Sequence, residues 1–110
     1  MRNIDIKIMQ IFMGVDLRSG EVGLEALLNK EYDYSFADLR ERQVFVFWNK
    51  KRNLVKVASA DGILVQRLKG EKRRWDPAVD RDELFVMVGK AFGFKWNVSK
   101  RVYESVQEGG

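Results

Sequence analysis

The sequence predicts an α+β domain in which a small antiparallel β-meander carries two to three helices packed against it. Three observations point there. Residues 44–48, Val-Phe-Val-Phe-Trp, are β-branched and aromatic throughout, as in a central strand covered on both faces. Two further strand-like runs, 54–60 and 63–68, follow within one turn of each other. Leu84, Met87, Val88, Ala91 and Phe92 then recur at helical spacing.

In chain order, Ile6, Ile8, Ile11 and Phe12, with Met9 and Met13, predict a first strand ending at Gly14. Ser19 is a suitable N-cap residue, with Glu21 behind it and Leu24, Leu27 and Leu28 at helical spacing, so a short helix is expected at about 20–30. Tyr32, Tyr34 and Phe36 alternate with polar residues without a clean period; this connection should be packed down by its rings. Residues 49–53 form a polar turn, and Asp61-Gly62 is a strong two-residue hairpin signal. Asp80 and Glu83 have capping-box spacing before the apolar stripe, which Gly93 should stop. Asn97 would cap a last short helix carrying Val98, Val102 and Val106. The expected organisation is one domain over 1–96 and a C-terminal tail over 97–110.

The 110 residues suffice for one hydrophobic core. Hydrophobic residues make up 45% and charged residues 33%, which argues against disorder of the whole chain. There is no His and no Cys, which excludes disulfides, thiol nucleophiles, imidazole bases and zinc sites of the Cys/His type. No apolar run nears the roughly 20 residues of a membrane span. Residues 1–13 lack a signal peptide's long apolar core and cleavage site, so the expected compartment is the cytoplasm.

The net charge of +4 is unevenly spread: −3 over residues 1–39, +8 over 40–75 and −1 over 76–110. A local excess of that sign attracts anions, nucleic acid being the commonest large one. Lys50, Lys51 and Arg52 occupy the first turn of the meander and Lys56 its second strand. Arg67, Lys69, Lys72, Arg73 and Arg74 run along and beyond the third. Hairpin strands lie about 4.8 Å apart, so a meander would gather these groups on one sheet face and its rim. Trp48 and Trp75 would offer stacking surfaces for bases or sugars. The competing readings are an acidic protein partner and a solvated face whose lysines discourage edge-to-edge aggregation.

Asp16 and Arg18 follow the first strand. Arg18 is a candidate phosphate ligand, but an acid and a base two residues apart more often tie a turn together. Asp16, Asp61, Asp76, Asp80 and Asp82 supply the hard oxygens that a magnesium ion takes. Asp61 is better explained by its turn and Asp80 by a helix cap, and no G-x-S-x-G or S-x-x-K motif surrounds a serine. The expectation is a protein without catalytic residues, metal or cofactor.

Gly14-Val15-Asp16-Leu17-Arg18 followed by Gly23-Leu24, then VFVFWNKKRNLVKV at 44–57, Asp61-Gly62, Arg67-Leu68 and Trp75, resembles the TnpB accessory proteins of insertion sequence 66 type bacterial transposable elements. Gly93-Phe94-Lys95-Trp96 is similar to that family's G-I-D-W ending. The likeness spans about 14–96 and is most specific in the middle block. Ser19, Ala58, Ser59, Gln66 and Asp76 depart from the family pattern. Position by position, the likeness falls on Asp16, Arg18, Asn49, Lys51, Arg52, Lys56, Arg67, Leu68 and Trp75. It implies an accessory role in transposition beside a separate transposase that carries the chemistry. The expected partners are DNA and, in the alternative of a protein adaptor, the transposase or another element-encoded protein.

Overall fold

The computed structural model describes residues 4–18, 20–70, 76 and 79–105. Among these residues, six strands and two α-helices follow in the order β1 (Lys7–Val15), α1 (Glu21–Leu27), β2 (Gln43–Asn49), β3 (Leu54–Ser59), β4 (Gly62–Arg67), α2 (Arg81–Lys90), β5 (Phe94–Asn97) and β6 (Val102–Ser105). The mixed α/β architecture is the expected one, and β2, β3 and β4 form the antiparallel meander.

The first strand adds a feature that its composition did not reveal: β1 pairs with β2 in parallel, which makes a four-stranded sheet in the order β1-β2-β3-β4. Parallel neighbours need a long crossover, here supplied by α1 and the segment to residue 42. The strand does not end at Gly14. That residue adopts φ 69° where the register slips between Met13 and Val15, and pairing resumes at Val15↔Asn49. Glycine takes this conformation without the Cβ penalty.

Alternation along β2 sends its residues to two separate cores. Phe45 and Phe47 join Phe12, Val15, Leu24, Leu28 and Leu39 on the α1 side. Val44, Val46 and Trp48 join Val55, Val57, Leu84, Met87 and Val88 on the α2 side. The central strand is therefore covered on both faces, as its unbroken apolar run implies.

On the first face α1 continues as a π-helical turn, Leu28–Tyr32, that ends at Asp33 with φ 57°. The aromatic connection does pack down: Phe12 meets Tyr32 at 4.6 Å, and Tyr34 meets Phe45 at 5.4 Å between centroids. Ser35 and Asp38 close a capping box around the 3-10 turn Phe36–Asp38. The Glu25 carboxylate accepts from Ser35 Oγ (2.6 Å) and Phe36 N (2.9 Å), fastening α1 to that turn. Ser19, the expected cap of α1, lies outside the described residues, and Gly20 occupies the cap position without a side-chain bond.

Three local expectations need correction. The β3–β4 loop is Ala60-Asp61 rather than Asp61-Gly62, because Ser59 pairs with Gly62, which takes φ 146° at the first paired position. Asp80 precedes α2, but no side-chain cap closes that helix start; its Oδ2 instead accepts from Asp76 N at 3.0 Å. The last helix expected from Asn97 onward is the β5–β6 hairpin, and Val106 lies outside the described residues.

Asn97 is a turn residue in that hairpin. Its Oδ1 accepts from Lys100 N and its carbonyl from Arg101 N, while Arg101 takes φ 56°. The hairpin is part of the packed body. Tyr103 is buried, donates its hydroxyl to Phe85 O at 2.8 Å, and has its phenol pushed well above the usual tyrosine range by burial. Among the described residues, no helix is long and apolar enough to cross a membrane.

Candidate nucleic-acid interface

The α1 layer covers only part of its sheet face, since α1 has seven residues and spans roughly 10 Å at 1.5 Å per residue. Leu54 and Lys56 on β3 alternate onto that face, and their register partners on β4 are Arg67 and Val65. At the end of the sheet beyond the helical cover, these side chains floor an open groove of about 710 Å³. Its walls are the Gly14–Arg18 turn on one side and the β2–β3 turn, with Asn49, Lys50, Lys51 and Asn53, on the other. Among the described residues, five cationic ones, Arg18, Lys50, Lys51, Lys56 and Arg67, line it with one carboxylate, Asp16. Three separate stretches of sequence thus converge on one electropositive surface.

Both walls are held by specific bonds. Asn49 Oδ1 accepts from Asn53 N (3.0 Å) and Leu54 N (3.1 Å), and its Nδ2 donates to Asn53 Oδ1 (2.6 Å). Asn49 O also accepts from Arg52 N, and Arg52 adopts φ 58°. Asparagine can satisfy turn amides in this way. On the floor Lys56 is buried, and its Nζ donates to Leu17 O at 2.9 Å. That bond ties β3 to the opposite wall.

Arg18 forms the turn tie that its spacing suggests. Its Nε and Nη2 donate to Asp16 Oδ1 (3.0 Å) and Oδ2 (2.8 Å), and its backbone N donates to Oδ1 (3.0 Å). The pair is exposed, with side-chain accessibilities of 90% and 58%. Hydrogen bonding to Arg18 holds the Asp16 carboxyl at about 2, below its usual 3.8, and the same contact raises Arg18. Arg18 therefore brings its charge to the groove largely balanced by Asp16, and Lys50, Lys51 and Arg67 add further positive charge along its lining.

The other expected site residues are placed differently. Arg52 points its guanidinium over the Trp48 ring, 5.4 Å from the centroid, and is not among the groove's lining residues. Lys69 is exposed but also lies outside the lining. Trp48 is fully buried in the core beneath α2, so it offers no stacking surface. Lys72, Arg73, Arg74 and Trp75 lie outside the described residues.

Sequence reasoning missed Asn53, Leu54 and Val65 as lining residues. Val65 is 49% exposed and faces the groove beside Lys56. Alternation through 63, 65 and 67 carried the signal.

The carboxylates are dispersed: Asp16 holds Arg18, Asp61 sits in the β3–β4 loop, and the Asp80 carboxylate accepts from the Asp76 backbone N before α2. Asp82 Oδ1 accepts from Trp96 Nε1 and pairs with Arg101. Among the described residues no group of three or more acidic side chains is arranged to hold a metal ion. In comparisons with known proteins, no family model, no curated protein and no solved structure matches the chain.

Proposed function

We propose that this protein is a non-catalytic accessory protein of bacterial transposition that binds DNA through the groove between the Gly14–Arg18 turn and the β2–β3 turn. One observation carries the DNA part: Lys50 and Lys51 from the turn, Lys56 from β3 and Arg67 from β4 line a single groove, and among the described residues the carboxylate that joins them there, Asp16, is engaged with Arg18. Such an array neutralises phosphates and releases their counterions, which makes binding strong at low salt and largely indifferent to sequence. The transposition part is supported by the likeness of residues 14–96 to the TnpB accessory proteins.

Fluorescence anisotropy with a labelled generic duplex, repeated over several salt concentrations, tests the proposal. Neutralising roughly four or five phosphates gives a log-log slope of about −3.5 to −4.5. No binding at low salt removes the reading. If, in addition, a transposase co-purifies with the protein after nuclease treatment, the groove is instead a docking surface for an acidic partner.

A further inference from the structure

We infer that the groove engages the phosphate array of a double helix and not the bases of a single strand; this rests on the nucleic-acid reading of the same groove and specifies its ligand. Proteins that hold single strands without sequence preference combine a cationic track with aromatic platforms on which successive bases stack. Here the side chains between the cations are aliphatic or amide: Leu54, Val65, Asn49 and Asn53. Among the described residues, no aromatic ring lines the groove.

The described rings pack elsewhere. Phe12 and Phe47 stack on each other in the core under α1, and Trp48 is buried on the opposite face. Tyr34 is partly exposed but leans on Phe45, four residues before Asn49 and so roughly 13 Å from the groove along the strand at 3.3 Å per residue. Trp96 packs between Phe85 and Tyr103 on the α2 side.

A site that reads charge alone discriminates by charge density and rigidity. A duplex presents one phosphate per about 1.7 Å of axis, and its counterion release per contact exceeds that of a single strand, about 0.9 against 0.7. The groove is also preformed. Asn49 pins one wall and the Lys56–Leu17 bond ties floor to wall, so its cations suit a regular phosphate array better than a flexible strand.

The test is an anisotropy comparison of a labelled duplex of roughly 20 base pairs, a second duplex of scrambled sequence, and each isolated strand. The expected result is at least roughly threefold tighter binding of duplex than of either strand, with the two duplexes within about twofold of each other. Equal or tighter binding of a single strand overturns the inference while leaving nucleic-acid binding in place. Failure of both duplex and strand to bind removes the nucleic-acid reading, and this inference with it.

Discussion

Lys56 Nζ donates a hydrogen bond to the carbonyl oxygen of Leu17, 39 positions earlier in the chain, at 2.9 Å. Both residues are buried, and the bond joins β3 to the turn that follows β1. A charged donor on a buried carbonyl contributes more than an average hydrogen bond. Lys56→Met keeps much of the aliphatic stem but removes the donor, and it should lower stability by roughly 1.5–3 kcal/mol. Urea unfolding should show a lower midpoint at unchanged slope; an unchanged midpoint would mean that the bond holds nothing.

Asn49 should act on turn order as well as on stability. Asn49→Ala removes the acceptor of Asn53 N and Leu54 N together with the Nδ2 donor, at a cost on the order of 2 kcal/mol. Amide hydrogen exchange at Asn53 and Leu54 should accelerate relative to the centre of β2. Duplex affinity should fall with it, because Lys50 and Lys51 lose their fixed placement.

The Asp16–Arg18 pair has a defined pH signature. Asp16 titrates at about 2 when folded against a usual 3.8, so its contribution is complete above the unfolded value and disappears as pH falls through the folded one. The pair should persist through pH 3.5 and break only near pH 2. The carboxyl carbon chemical shift of Asp16 reports this directly. In Arg18→Ala the midpoint should move back up toward 3.8; a midpoint that stays low would assign the shift to another cause.

Gly89 tests how the hairpin meets α2. A Cβ there would lie 2.7 Å from Phe94 O and 2.8 Å from Tyr103 Cε1, and a backbone oxygen cannot yield as a flexible side chain does. Gly89→Ala should therefore destabilise the fold by about 1–3 kcal/mol, against the roughly 1 kcal/mol gain expected for this change in an open helix. A thermal melt at or above the wild-type midpoint would contradict the packing.

Legibility in the sequence followed the range of the forces involved. The unbroken apolar run Val44–Trp48 and the helically spaced Leu84–Phe92 stripe are local signals, and a strand and a helix form at those places. The tight β3–β4 connection brings the pairs Lys56↔Val65 and Leu54↔Arg67 within reach, so convergence of Lys56 with Arg67 follows from alternation. The parallel partner of β1 was not legible, because an apolar strand names a face and not a neighbour. The Val98, Val102, Val106 spacing suits a helix, yet Asn97 as a turn acceptor and the Trp96–Tyr103 ring contact favour a hairpin against α2. Arg52 differs from Lys50 and Lys51 in facing the Trp48 ring, a choice set by the left-handed turn conformation and invisible in a run of basic letters.

The central claim, that the groove is the DNA-binding surface, is tested most directly by titrating duplex into isotope-labelled protein and mapping backbone amide shifts. The account predicts perturbation at Val15–Arg18, Asn49–Leu54, Lys56 and Val65–Arg67, with little change at Lys90, Lys95 and Arg101, which belong to the α2 and hairpin layer. Lys50→Ala with Lys51→Ala should reduce both those shifts and the salt slope by about 2, whereas Arg52→Ala should have a smaller effect. Shifts concentrated on the α2 and hairpin layer, or a salt slope unmoved by the double substitution, would contradict it.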